Sequence, residues 1–157
     1  MSAKGQVFSS DFFVGLTIFL IGLSILIIFW NYTNYKIRAK RAVEDLSRLA
    51  LSISNVFFIE GEPKYWNPEN VVILGFSNDG RLNWTKINYM KEIGYEKTRK
   101  MLSCPYFLQL RIINATNDFL IFNLTKEEIS DAEFVAKAER YGILNSSIVR
   151  IEVIVWR

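Results

Sequence analysis

The chain has 157 residues, of which 50% are hydrophobic and 22% are charged, and its formal net charge is +3 at pH 7. It contains no histidine, which excludes histidine-based acid–base catalysis and most zinc or haem sites. The single cysteine, Cys104, excludes an intrachain disulfide, and beside an apolar run it is expected to be a buried, inert thiol. The excess of positive charge is too small and too dispersed for a nucleic-acid-binding surface.

A stretch of 24 residues without a charge, residues 12–35, separates a membrane-type segment from a head of ordinary soluble composition. Its most apolar part, residues 12–30, spans about 30 Å as a helix, which is the thickness of the hydrocarbon core of a bilayer. Trp30, Tyr32 and Tyr35 follow where an aromatic belt is expected. The run is too long for a cleaved secretory signal, and no small-residue cleavage site follows it. We therefore predict a transmembrane helix.

The residues before the apolar segment include a cation, a glycine and an acid, in the order Lys4, Gly5, Gln6 and Asp11. This pattern resembles the leader of archaeal type IV pilins and pilin-like proteins, whose class III-type prepilin signal peptides end in Lys-Gly. The resemblance implies that a prepilin peptidase, a membrane aspartic peptidase, cleaves between Gly5 and Gln6 and leaves the apolar helix in the mature chain. Asp11 would be the sixth mature residue, whereas the family usually has an acid at the fifth.

Three residues are predicted to serve assembly. Asp11 is the only acid before Glu44, and cleavage would create an α-amine at the edge of the hydrocarbon, where an unpaired charge is costly. We expect the carboxylate to pair with that amine on a neighbouring subunit; the alternative is that Asp11 only caps the helix N-terminus or lies among the lipid headgroups. Gly15 and Gly22 are seven residues apart on one helix face, where they allow close helix packing.

The helical pattern continues beyond the membrane segment. Over residues 36–57 apolar side chains recur at helical spacing with charged side chains opposite them, and no glycine or proline intervenes between Leu23 and Glu60. The apolar stripe consists of Val43, Leu46, Ala50, Ile53 and Phe57. After a leader of residues 1–5, we predict one helix over residues 6–60, with an apolar first half and an amphipathic stem.

The remaining residues, 61–157, are predicted to form a β-rich head. Helices broken at Gly94 are expected over residues 85–102, and alternating or apolar runs predict strands. The predicted strands are residues 71–76, 106–113, 119–124, 133–141 and 148–156. The last strand presents apolar side chains on one face and Arg150 and Glu152 on the other. The prediction is an α+β fold in which a long helix packs against an antiparallel sheet, the fold that the resemblance to type IV pilins also implies.

Two features conflict over the side of the membrane on which the head lies. Four cations follow the apolar segment, and the positive-inside rule alone places the head in the cytoplasm. They are Lys36, Arg38, Lys40 and Arg41. Against this, the chain has five N-x-S/T sequons, more than its composition gives by chance. Asn31 is too close to the membrane, so the N-glycosylation candidates are Asn83, Asn114, Asn123 and Asn145. With the pilin resemblance, they favour an external head.

The sequence therefore predicts a structural subunit. It is first held in the cell membrane and processed. It then assembles through its N-terminal helix with other pilin-like subunits, either as a component of an adhesive type IV-like surface filament or as the primer of one. The alternative is a single-pass envelope protein whose head binds a partner without polymerising. No enzyme activity, cofactor, metal or nucleic-acid partner is predicted. The carboxylate pairs Glu127/Glu128 and Asp131/Glu133 lie in a charged turn, and no phosphate loop or catalytic triad accompanies them.

Overall fold

The computed structural model describes residues 10–157, so the predicted processing residues Lys4, Gly5 and Gln6 lie outside the described part of the chain. The chain divides into two compact units, Met1–Arg41 and Ala42–Arg157. The first helix, α1, runs Ser10–Asn55 and is followed by a 3₁₀ turn at Val56–Phe58. The prediction of one long N-terminal helix is confirmed.

The second unit contains two sheets and two further helices. The strands β1 (Ser77–Asn78) and β2 (Arg81–Leu82) form a short antiparallel hairpin. The helices α2 (Trp84–Ile93) and α3 (Tyr95–Met101) are separated at Gly94, whose φ of 80° is incompatible with a continuous helix. The main sheet is antiparallel throughout, with strand order β4-β3-β6-β5. Its strands are β3 (Phe107–Asn114), β4 (Leu120–Leu124), β5 (Val135–Leu144) and β6 (Ser147–Trp156).

The core of the second unit lies between the amphipathic part of α1 and the apolar face of the main sheet. The stripe residues Leu46, Ala50, Ile53 and Phe57 are all buried in it. The sheet contributes the alternating residues Leu108, Leu110, Ile112, Val149, Ile151, Val153 and Val155. Val43 is exposed, contrary to its predicted place in the stripe, because the buried face extends from Leu46 back to Ala42, four residues earlier. The predicted α+β architecture is confirmed.

The strand predicted at residues 71–76 is wrong. This segment forms one isolated bridge, between Ile73 and Glu62, and the regular pairing begins only at β1. The segment instead crosses the chain at Gly61 so closely that a Cβ on Gly75 would lie 2.1 Å from the Gly61 nitrogen. The Trp66 indole N–H donates to the Gly75 carbonyl at 2.7 Å. The close backbone approach of Gly75 to Gly61 and the packing of side chains therefore hold this segment in place, and not the ladder of strand hydrogen bonds that its apolar sequence predicts.

The β5–β6 hairpin is longer than predicted. Strand β5 extends to Leu144, and only Asn145 and Ser146 separate it from β6. Both turn residues have a positive φ, 48° and 66°, as a two-residue type I′ hairpin turn requires. The tight turn places Asn145 at the tip of the hairpin.

Candidate functional site

The first unit exposes a long apolar surface, which is formed by the apolar part of α1. The large apolar side chains from Phe12 to Trp30 are exposed around the whole circumference of the helix. In the part of the chain that the structure describes, one helix is long and apolar enough to cross a membrane, and this is that helix. None of its most apolar window is buried within the structure. Such a surface is stable in hydrocarbon or against other apolar helices and unfavourable in water.

The two hydroxyl groups of this segment are adapted to an apolar environment. Thr17 Oγ1 donates to the Phe13 carbonyl and Ser24 Oγ donates to the Leu20 carbonyl, each at 2.8 Å. Because both donors are hydrogen-bonded within the helix, transfer of this segment into hydrocarbon would leave neither hydroxyl proton unpartnered.

The predicted assembly residues lie at the start of the same helix. Asp11 is exposed in the first turn of α1, where the helix dipole favours a carboxylate. Gly15 and Gly22 lie on one face, and a Cβ added to either would meet no atom within 4 Å. Thr17 and Ser24 each follow a glycine by two residues, so they lie on the opposite face. The first unit therefore has two faces made of small residues, which are the kind of surface on which apolar helices pack closely.

The basic residues after the apolar segment form what we call the basic collar: Lys36, Arg38, Lys40 and Arg41, all exposed. Lys36 Nζ lies 4.7 Å from the centre of the Tyr32 ring, a cation–π contact that fixes the first cation beside the aromatic belt. A cation held at this position is within reach of anionic lipid headgroups if residues 12–30 span the hydrocarbon.

The four candidate glycosylation residues have different environments. Asn83 is the N-cap of α2, and its Oδ1 accepts hydrogen bonds from the amides of Thr85 and Lys86. Asn114 ends β3, and its Oδ1 accepts from the Thr116 amide at 2.8 Å. Asn145 is exposed at the tip of the β5–β6 hairpin.

Asn123 differs from the other candidates because it lies within a strand. Its backbone pairs with Arg111 in β3, and its Oδ1 accepts a hydrogen bond from Gln109 at 3.1 Å. Asn31, which was excluded from the candidates, lies in α1 directly after the apolar segment.

The structure reveals a buried charge cluster that the sequence pattern did not predict. Glu152 was expected on the solvent side of the sheet, and it is on that side, yet only 2% of its surface is exposed. Strand register places Arg111 on one side of it and Glu139 on the other. Lys137 Nζ lies 2.9 Å from Glu152 Oε1, and Arg111 Nη1 lies 3.1 Å from Oε2. A buried charged group without such partners has a high desolvation cost.

The positive and negative charges of the cluster are equal in number. Arg150 also contacts Glu152, at 3.2 Å, and it extends to Asp118 at 3.0 Å. Lys137 contacts Glu139, and its ammonium lowers the pKa of the Glu139 carboxyl. Three cations, Lys137, Arg111 and Arg150, therefore face three carboxylates, Glu152, Glu139 and Asp118.

A second buried charge, Lys86 of α2, contacts both the β1–β2 hairpin and the end of the stem. Its Nζ donates to the carbonyls of Glu60 at 2.6 Å and Ser77 at 3.2 Å. Burial lowers the pKa of Lys86, while the nearby Glu60 carboxylate raises it. This lysine occupies a structural position, because both of its partners are backbone carbonyls.

Cys104 is buried, as predicted, and burial raises the pKa of its thiol. The residues of the carboxylate pairs Glu127/Glu128 and Asp131/Glu133 are exposed. Among residues 10–157, no group of three or more His, Cys, Asp or Glu side chains is placed to hold a metal ion.

Comparisons of the chain with protein-family models, with curated proteins and with solved structures find no match. Function is therefore inferred from the residues and their geometry.

Proposed function

We propose that this chain is a structural subunit of a type IV-like surface filament. It is held in the membrane by residues 12–30 of α1 with the head outside, and a prepilin peptidase cleaves it between Gly5 and Gln6. It then assembles with other pilin-like subunits through its N-terminal helix. This function is chosen over a permanent single-pass anchor because assembly gives a role to the leader pattern, to Asp11 and to the small-residue faces together.

The observation that carries the proposal is the contrast within α1. Within the described residues, the large apolar side chains of residues 12–30 are exposed on every side of the helix, whereas the stem residues complete the core of a folded head. Lipid is already apolar, so transfer from lipid to a bundle of helices depends on packing and not on further loss of water. Gly15 and Gly22 support such packing because their face is open to a neighbouring backbone.

Asp11 gives the assembly a defined axial position. The carboxylate lies one turn before Gly15 at the end of the apolar helix. A carboxylate and an α-amine each have a high cost at the edge of hydrocarbon, and pairing between neighbouring subunits removes both costs at once. The pairing also sets the stagger between helices, since it fixes one atom of each subunit against its neighbour.

The proposal can be tested with variants of the native protein, followed in sheared extracellular material and in membranes. Gly5→Leu should block processing and leave the full chain in the membrane, while Ser9→Ala, four residues away, should be processed normally. Asp11→Asn should be processed and inserted but absent from the sheared fraction, and Asp11→Glu should restore it. Normal extracellular recovery of Gly5→Leu or of Asp11→Asn would contradict the proposal and favour a different route to the surface.

A further inference from the structure

Three sequons that are far apart in the sequence meet at one end of the main sheet. Asn114 and Asn145 line the same shallow pocket, of about 220 Å³, together with Trp84, the central residue of the Asn83 sequon. The strand register explains the meeting, because Asn114 pairs with Val149 near the turn that holds Asn145. We call this region the sequon end of the head: Asn83, Asn114, Asn145 and the pocket between them.

The amide nitrogens at the sequon end are available. In Asn83 and Asn114, backbone N–H groups bind Oδ1, so Oδ1 must face the backbone and Nδ2 must face away. Within residues 10–157 neither Nδ2 donates a hydrogen bond, and the side chain of Asn145 makes none. N-linked sugars attach to this nitrogen.

The hydroxyl at the third sequon position separates these sites from Asn123. Thr85, Thr116 and Ser147 are exposed, and their hydroxyls form no hydrogen bond to the described residues. Thr125, which completes the Asn123 sequon, is half-buried and donates its hydroxyl proton to the Glu127 carbonyl at 2.7 Å. A sequon is recognised through this hydroxyl, so the folded head presents three readable sequons and one that is engaged internally.

The same end of the head carries apolar side chains that are exposed among the described residues. Phe119 is 67% exposed and Ile148 is 58% exposed. They are adjacent to Asn114: its amide donates to the Phe119 carbonyl, and the next amide, of Ala115, donates to the Ile148 carbonyl. A branched sugar chain covers apolar and aromatic surface with its C–H faces while its hydroxyls remain in water.

We infer that the sequon end is covered by N-linked oligosaccharides attached at Asn83, Asn114 and Asn145, and that Asn123 is not modified. The inference rests on the external head of the proposed function, because the acceptor must meet a transferase on that side of the membrane. The donor class is a lipid-linked oligosaccharide phosphate. The Asn Nδ2 forms a bond to the anomeric carbon, the bond from that carbon to the phosphate oxygen breaks, the phosphate leaves with the electron pair, and one amide proton is released.

The glycans divide the surface of the head into two kinds. A sugar-covered end cannot pack tightly against a neighbouring subunit, so subunit contacts must use other surfaces of the head. The groove on the stem side, lined by Ile59, Val72 and Ile73, has no candidate sequon among its lining residues. The sequon end is therefore assigned to the solvent side of an assembled subunit.

The test is the intact mass and glycopeptide map of the protein from its native membranes. Each of Thr85→Ala, Thr116→Ala and Ser147→Ala should remove one oligosaccharide mass, although each keeps its asparagine and the hydrogen bonds made by Oδ1. Thr116→Ser should restore the mass lost in Thr116→Ala. The matched control Thr125→Ala should leave the mass unchanged. Unmodified Asn114 and Asn145, or loss of a glycan in Thr125→Ala, would overturn the inference.

Reading the N-terminus of the same sample separates this inference from the assembly proposal. A chain that begins at Gln6 and carries no glycan contradicts the glycan assignment alone. A glycosylated chain that retains Met1 or Ser2 contradicts processing and assembly alone and leaves the glycan assignment standing. An unglycosylated chain with an intact leader and a protease-protected head contradicts both.

Discussion

Phe29 lies in α1 and Phe57 lies in the 3₁₀ turn that follows it, and the two rings have opposite environments: Phe29 is 66% exposed, whereas Phe57 is 0% exposed. The difference shows that hydrophobic content alone does not reveal the role of a segment. The apolar side chains of the stem find partners in the head of the same chain, so they stabilise one folded molecule. The large apolar side chains of residues 12–30 are exposed within the described structure, and such a surface is stable in lipid or against other apolar helices.

The largest expected difference between the apolar segment and the head core comes from removing one phenyl ring from each. Phe57→Ala should destabilise the head by about 3–5 kcal/mol, because it removes a large buried side chain and leaves a cavity. Phe29→Ala should leave the free energy of head unfolding unchanged. Denaturant titration in detergent micelles, followed by tryptophan fluorescence, measures both. Equal losses in the two variants would show that the head depends on the apolar segment.

The next largest effect is expected for a charge at the midpoint of the apolar segment. Ile21→Lys should disfavour insertion by about 3–4 kcal/mol, because an ammonium replaces an apolar side chain at the bilayer centre. The matched control is Leu51→Lys on the exposed side of the stem, which should insert normally. The fraction of protein retained in alkali-washed membranes is the measurement. If Ile21→Lys is retained as well as wild type, residues 12–30 are not the membrane segment.

The third prediction concerns the buried charge of Lys86 in the head. Lys86→Met should reduce head stability by about 1–3 kcal/mol, because the carbonyls of Glu60 and Ser77 lose their donor. The exposed Lys100→Met is the matched control and should be close to neutral. Membrane insertion should be the same in both variants, since neither lies in the apolar segment.

The pH dependence of this variant has a definite sign. Burial lowers the pKa of Lys86 in the folded head below its ordinary value of 10.5. Between the lowered value and 10.5 the unfolded chain binds more protons, so the contribution of Lys86 to stability rises with pH in that window. The stability difference between wild type and Lys86→Met should therefore grow as the pH approaches 10.5. A difference that shrinks with rising pH would contradict the assigned environment.

The smallest predicted effect concerns the cap of α2. Asn83→Ala should cost about 1 kcal/mol of head stability, because the amides of Thr85 and Lys86 lose their acceptor. Asn83→Asp keeps the acceptor and should retain most of the stability, although it removes the sequon. Denaturant titration of unglycosylated protein separates the cap from the sugar. An equal loss in both variants would show that the cap is not the stabilising interaction.

Local patterns were sufficient to predict most of the fold. The absence of glycine and proline through residues 23–60 predicted α1, and Gly94 predicted the break between α2 and α3. Alternating or apolar runs predicted all four strands of the main sheet. The prediction failed at residues 71–76 because an apolar run does not reveal whether its backbone pairs in a ladder or crosses another segment, as this one does at Gly61.

Features that depend on distant residues were not predictable from local pattern. Alternation placed Glu152 on the outer face, but its burial follows from the register that brings Arg111 and Lys137 to it. The meeting of Asn114 and Asn145 likewise depends on how β3 and the β5–β6 hairpin align on β6. The processing residues Lys4, Gly5 and Gln6 stay a prediction from sequence.

We propose that the apolar half of α1 becomes an assembly element after the leader is removed. The most direct measurement is the intact mass and N-terminal sequence of the protein sheared from native cell surfaces, with the membrane fraction analysed beside it. We expect a sheared chain that begins at Gln6 and retains residues 12–30. A chain found only in membranes, still beginning at Met1 or Ser2, would contradict it.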